Sequence, residues 1–324
     1  MTSTPTLAPA KPVPSGPAPA RTRRRPGRLR RHMWHYIFLT PMALLFVAFT
    51  VWPMLASWWY SLFNWDGIGP ASDWVGLANY TEVLQSPKFW HSFGNSFLFS
   101  LVAICVQMPL ALLAAILLNS ARLRGRNLYR LLLFLPVVTS TPVIGIIFAI
   151  LLDPSGGLLN QILSWSGLSS APVTFLSESY ALPTLMVIDI WKTFGVTLVY
   201  WLAALQTVPG DLYEAASIDG ANGRQRLRHV TLPVIAPIAV VILVLTFQGS
   251  MNPFDLVQAM TQGGPNHATD VVATYIYHYA FSPDLNAPRF GFVCAAGVVF
   301  GMVTLVITVL QGPLLRRYYL RGSR

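Results

Sequence analysis

The chain has 324 residues and a formal net charge of +10, yet only 10% of its residues are charged, 54% are hydrophobic, and the mean hydropathy is +0.53. An ordinary soluble domain carries about a quarter charged residues, so this composition excludes a fully water-facing surface. Two cysteines, Cys105 and Cys294, exclude a disulfide framework or a cysteine metal site and read as small apolar residues.

In chain order, residues 1–34 are rich in Pro, Ala, Thr and Arg and are expected to form a disordered basic tail on the cytoplasmic side. Their basic region is too long for a signal peptide, and the apolar run that follows exceeds a signal core, so the first span reads as an anchor that stays. Six apolar runs follow, at about 36–62, 94–118, 129–152, 182–205, 232–252 and 291–311. A bilayer core needs roughly 20 apolar residues of helix, and backbone groups in lipid must be satisfied internally. The expected fold class is therefore all-α: an integral membrane protein with six transmembrane helices, one domain over 35–315, and a basic cytoplasmic C-terminus at 316–324. Pro41, Pro53, Pro109, Pro136, Pro142 and Pro237 fall inside the runs and predict kinks.

Charge alternates along the connections. Nineteen of the 22 basic residues lie in the N-terminal tail, after the second span (Arg122 to Arg130), after the fourth (Arg224, Arg226, Arg228) and at the C-terminus. The opposite connections hold Asp66, Asp73, Glu82, Glu178, Asp255, Asp270 and Asp284, with Lys88 and Arg289 as their basic residues. The positive-inside rule places both termini and the 214 region in the cytoplasm. This accounts for the net charge as topology and anionic-lipid contact, with no nucleic-acid partner.

No catalytic pattern emerges. There is no GxxxxGK[ST] loop, GxSxG or HExxH. The three lysines, Lys11, Lys88 and Lys192, do not follow glycine. The six histidines form no ligand pattern: His32 and His35 are spaced i, i+3 but have no acidic companions. No metal and no catalytic residue is expected.

The connection after the fourth span, about 209–233, is different. It reads Pro-Gly-Asp-Leu-Tyr-Glu-Ala-Ala-Ser-Ile-Asp-Gly-Ala from Pro209. Asp211 is read as the N-cap of a helix with Glu214 at N3 in capping-box spacing. Ala215 and Ala216 make that helix thin enough for close approach. Gly220 is expected to end it in a left-handed conformation. A second short helix is expected over about Asn222–His229, before Pro233 opens the next span. The pattern fits either a docking hairpin or a hairpin anchored in lipid headgroups. Within the spans, Trp191 and Lys192 are candidates for lining a cavity, with an i, i+3 pair between Asp189 and Lys192 as the alternative. Gln107 and Gln248 read as interhelical glue.

These residues resemble the E-A-A-x-x-x-G loop of the permease subunits of ATP-binding cassette importers. The matching positions are Glu214, Ala215, Ala216, Gly220, Val230, Leu232 and Pro233, with Asp219 before the glycine and Ala221 after it. Leu227 stands where many members carry Phe and keeps a smaller apolar knob. The resemblance runs from about Tyr36 to the C-terminus and is strongest to the carbohydrate branch, which includes maltose-type and glycerol-phosphate-type permeases. It also rests on Trp58–Phe63, Trp74–Tyr80, Gly157–Asn160 and Thr261–Pro265. The first outer loop is short, as in the compact six-span form.

The resemblance implies a sugar importer permease in a bacterial cell membrane, with the 209–233 loop coupling it to a separate ATPase. The implied partners are a second permease subunit, a different chain by family habit, an ATPase subunit dimer, and an extracytoplasmic solute-binding protein that delivers sugar. ATP and Mg would be used by the ATPase, with no cofactor on this chain. Glu214, Ala215, Ala216, Asp219, Gly220, Ala221, Leu227 and Pro233 are the implied coupling residues. Ser250 and Asn252 lie where a maltose-type permease presents polar residues to its sugar, with helix–helix hydrogen bonding as the alternative. A proton-coupled secondary transporter would need intramembrane carboxylates, and Asp189 alone is clearly inside a span. A membrane enzyme would need an acid/base or metal cluster that the sequence does not show.

Overall fold

Proline placement explains the local helix geometry of this chain. The computed structural model describes residues 28–120, 123–167, 169, 171–281 and 288–322, and divides into two compact units, 1–54 and 55–324. The tail read over 1–34 falls outside the described residues up to 27, as do Arg122 and Asp284. The first unit holds α1 (Arg28–Phe46) and a π-helical segment, Val47–Val51; α2 is Trp52–Tyr60. Two more π segments occur at Ala103–Gln107 and Leu227–Thr231. In each case a proline stands two residues beyond: Pro53, Pro109 and Pro233. The N–H groups of Trp52, Met108 and Leu232 donate five residues back, to Val47, Ala103 and Leu227. A proline ring clashes with the carbonyl four residues before it, and the wider turn moves that carbonyl aside.

The second unit continues with α3 (Ala78–Gln85), α4 (Pro87–Val102), α5 (Met108–Asn119), α6 (Arg126–Val138), α7 (Thr141–Leu151) and α8 (Leu158–Trp165). It ends with α9 (Ala181–Leu205), α10 (Gly210–Ile218), α11 (Gly223–Arg226), α12 (Leu232–Ser250), α13 (Phe254–Met260), α14 (Val272–Phe281) and α15 (Phe290–Gly322). No strand is present among the described residues. Among the described residues, five helical stretches are long and apolar enough to cross a membrane: His35–Tyr60, Pro87–Asn119, Ala181–Leu205, Gly223–Met260 and Phe290–Gly312. The remaining expected span, third in chain order, is a pair, α6 and α7, bent by 95°. Thr139 and Ser140 between them are extended, and Pro142 lies at the start of α7, where its missing N–H costs no helical bond. The second span starts earlier than expected because Ser86 caps it, accepting from the Phe89 N–H at 3.3 Å, with Pro87 following.

α9 is the most enclosed span. Its C-terminal half packs Leu198, Trp201, Leu202 and Leu205 against Ala111 and Ala115 of α5 and Ile235 and Ile242 of α12. Its N-terminal half meets Ile144 of α7 and Leu256 and Val257 of α13. Alanines at the α5 contact let backbones approach, as is usual between membrane helices. Polar residues add specific links. Gln107 donates to Thr197 Oγ1 at 2.8 Å and accepts from Thr193 Oγ1 at 3.2 Å, so it is interhelical glue. Ser100 Oγ donates to the Phe247 carbonyl at 3.0 Å, tying α4 to α12.

A third cluster joins Val83 and Phe89 to Tyr275, Phe292, Ala295 and Ala296, bringing α3 and α4 to α14 and α15. Over it, Arg289 donates through two nitrogens to Glu82 at 2.7 and 2.6 Å, and its guanidinium lies 4.6 Å from the Phe292 ring centre. The Arg289 hydrogen bonds hold the Glu82 carboxyl below its ordinary value of 4.5. A depressed carboxylate contributes stability that is present above the unfolded value and lost as pH falls through the folded one. Both groups are more than a third exposed, so the pair contributes about 0.5–1 kcal/mol at neutral pH. Arg289→Gln is expected to lower the thermal midpoint in detergent at pH 7, and the gap from wild type closes as pH falls below 4.5. A gap that persists undiminished at lower pH contradicts this assignment.

Candidate functional site

The 209–233 connection forms a helix hairpin, with one revision to the expected caps. The N-cap of α10 is Pro209, whose extended backbone starts the helix at Gly210 without a side-chain cap. Asp211 therefore sits inside the first turn, where its charge favours the helix's positive end but caps nothing. The capping box lies one helix later. Asn222 Oδ1 accepts from the Gln225 N–H at 2.9 Å, and Gln225 Oε1 accepts from the Asn222 N–H at 2.8 Å. The Asn-x-x-Gln spacing is a sequence signature for this.

Gly220 adopts φ +73°. The Ala221 N–H donates to the Ala216 carbonyl at 2.9 Å and the Gly220 N–H to Ser217 at 3.1 Å, the paired bonds of a Schellman stop. Asp219, the C-cap, is exposed, as are Glu214 and Ala215; Ala216 and Ala221 are half-buried. No ion pair among the described residues involves Glu214. Ile218 is 86% exposed at the end of α10, an apolar side chain with nothing over it in the single chain.

Arg226 braces the hairpin. Its Nε donates to the Ala221 carbonyl at 3.0 Å and its Nη1 to Ser217 Oγ at 3.1 Å, so one guanidinium spans the glycine turn. The sequence marked Arg226 as a topology charge. Its bracing role depends on the turn geometry and has no spacing signature. Tyr213 hydrogen-bonds Thr231 at 2.9 Å and packs against the α5–α9–α12 core, tying the hairpin to the bundle. The expected second short helix is not a separate element. α11 runs through the Leu227–Thr231 π segment into α12, so the hairpin's second arm is continuous with the fifth span. Leu227 lines a cavity of about 260 Å³ with Tyr213, Arg226 and Thr231, and Pro233 is the second residue of α12.

The span candidates separate. Trp191 is 48% exposed and meets Phe148 edge-on at 5.5 Å. Asp189 is buried, Lys192 is half-buried, and no ion pair joins them. Ser250 is buried on α12. Asn252 is exposed and lines a cavity of about 310 Å³ walled by Phe254, Tyr277, Phe281 and Phe300. There a polar amide stands beside apolar ring faces.

At the opposite end of the fifth span from the hairpin, His267, Asp270 and His278 come together, although the sequence showed no histidine ligand pattern. The H-x-x-D spacing brings two of them into reach, and α14 delivers the third by tertiary folding.

Comparison with known proteins identifies the family. Residues 107–318 match the family described as binding-protein-dependent transport system inner membrane component. The chain is 32% identical over 278 residues to a probable ABC transporter permease protein of Bacillus subtilis, covering 85% of this chain and 94% of the relative. It is 32% identical to the trehalose/maltose transport system permease protein MalF of Thermococcus litoralis, covering 85% and 91%. A crystal structure of a bacterial ABC transporter that imports the acidic polysaccharide alginate superposes with a TM-score of 0.78 at 27% identity, covering 89% of this chain and 97% of that one. A second structure of the alginate transporter, in complex with an alginate pentasaccharide-bound periplasmic protein, gives 0.77.

Proposed function

The chain belongs to the binding-protein-dependent transport system inner membrane component family, and from that membership we propose how its hairpin works. It is a multi-pass transmembrane permease subunit of an ABC sugar importer, and its family transports rather than catalyses. In our reading, residues Glu214–Ala221 dock into a separate ATPase subunit, which uses the ATP and Mg. The observation that carries this is an exposed, alanine-lined helix with an uncovered Ile218, stopped by a left-handed Gly220 and braced by Arg226. Because the second arm is continuous with α12, a movement of the hairpin passes into a membrane span without an intervening joint. Asn252 and its aromatic wall belong to the sugar path, together with Trp191, Lys192 and Ser250.

The proposed assembly pairs this chain with a second permease, an ATPase dimer and an extracytoplasmic binding protein. The hairpin and both termini then face the cytoplasm. The test is reconstitution of this complex in vesicles with a panel of labelled oligosaccharides and glycerol phosphate. ATP-dependent accumulation of a sugar is expected. Uptake that needs no ATP, or none of any sugar, contradicts the reading.

Arg226→Lys is expected to leave assembly intact and lower ATP-driven uptake about tenfold. A single ammonium cannot hold Ala221 and Ser217 in the same fork, and losing a charged hydrogen bond costs about 1.5 kcal/mol. Wild-type uptake by an assembled Arg226→Lys complex would remove the brace from the account.

A further inference from the structure

The cluster opposite the hairpin has a donor set that the transport reading does not use. His267 Nδ1 lies 2.6 Å from Asp270 Oδ2, and His278 Nδ1 lies 3.8 Å from Asp270 Oδ1. The three ligand atoms fall within 4.8 Å of one another. Two imidazole nitrogens and a carboxylate oxygen, with a fourth position left for water, are a zinc donor set. Tetrahedral zinc at about 2.0–2.1 Å from each ligand places donors roughly 3.4 Å apart. Side-chain adjustments of about an ångström therefore close the group on one centre. We propose that His267, Asp270 and His278 form a binding site for a divalent transition-metal ion of the zinc type.

The surroundings favour a built site over a chance grouping. Asp270 is only 3% exposed at its side chain, while His267 and His278 are 52% and 27% exposed, so the carboxylate is fixed and the imidazoles reach it from the open side. Thr274 Oγ1 donates to Asp270 Oδ1 at 3.0 Å, the outer-shell bond that orients a ligating carboxylate. Gly263 has φ +83°, and a Cβ there would overlap Asp270 Oδ1 and lie 3.2 Å from His278 Cε1. His267 itself holds φ +61°, a left-handed conformation uncommon outside glycine. Asn95 of α4 donates to the carbonyls of Ala268 and Asp270 at 3.0 and 2.8 Å, fixing the same loop from below. A bound ion would staple the loop over 261–271 to α14, beside a cavity of about 700 Å³ lined by Lys88, His91, Glu178 and His267.

The test uses the full-length chain in detergent, purified through a tag without histidine and stripped with chelator. Cobalt(II) is titrated in, with the visible d–d absorption of a low-symmetry site as readout, and zinc is then added to displace it. A single saturating site is expected, with zinc bleaching the band. His278→Gln and Thr274→Val, checked for an unchanged elution profile, should weaken binding at least tenfold, since outer-shell losses alone cost 10–100-fold. The His267→Gln, His278→Gln double variant should show no band. A wild type that gives no absorption at micromolar cobalt, or a double variant that binds as wild type does, overturns the proposal.

Discussion

Gly220→Val is expected to lower ATP-driven uptake at least about tenfold while the complex still assembles, and Gly220→Asn to retain most of it. No atom lies within 4 Å of where a Gly220 Cβ would be, so the position has room for a side chain. What forbids one is φ +73°. A left-handed backbone costs an L-residue about 1–2 kcal/mol, more when the side chain is β-branched. Asparagine tolerates the region because its short side chain bonds locally. Valine shifts the equilibrium away from the Schellman stop, which unfastens Ala221 from Ala216 and moves the Arg226 acceptor on Ala221 with it. With roughly 1.4 kcal/mol per factor of ten, uptake falls by at least about tenfold. Equal loss in the valine and asparagine variants would point to crowding and against the conformational argument.

Gly195→Leu is expected to keep the chain from folding into a stable bundle. A Cβ at Gly195 would stand 2.7 Å from the Leu133 carbonyl oxygen, 2.9 Å from Phe134 Cα and 2.9 Å from Val137 Cγ2. Two of these are backbone atoms of α6, so no rotamer change relieves the contact and the two helices must move apart. Overpacking of this kind costs 1–3 kcal/mol, occasionally more, and here the α6–α9 contact would separate beside Leu198 and Trp201. A large loss of monodisperse protein on size-exclusion chromatography is expected. Gly94→Ala, where nothing lies within 4 Å, should elute as wild type. A stable Gly195→Leu bundle would mean that the α6–α9 approach is looser than described.

Sequence and structure agree wherever one physical constraint dominates. Lipid imposes long apolar helices, so the spans could be counted from hydropathy, and Gly220 could be placed because a left-handed stop favours glycine. Agreement weakens where tertiary context decides. Prolines inside the apolar runs predicted kinks, but nothing in Pro136 or Pro142 alone indicates a 95° break at Thr139–Ser140. Asp211 at capping-box spacing was misplaced because Pro209 takes the extended position before it. Asn222 and Gln225 carry the same signature and do form the box. The continuity of α11 with α12 was hidden because Pro233 reads locally as a helix start, whereas a π segment lets the helix pass through it. Arg226, and His278 beside Asp270, depend on neighbours that sequence spacing does not supply.

The central claim is that the Glu214–Ala221 hairpin is the contact with the ATPase. A photo-crosslinking residue in place of Ile218, in a complex that retains ATP-driven uptake, tests it most directly. The control replaces Trp165, the last residue of α8, which is 91% exposed. The account predicts an adduct between position 218 and the ATPase subunit and none from position 165. A transport-competent complex in which position 218 forms no ATPase adduct would contradict it.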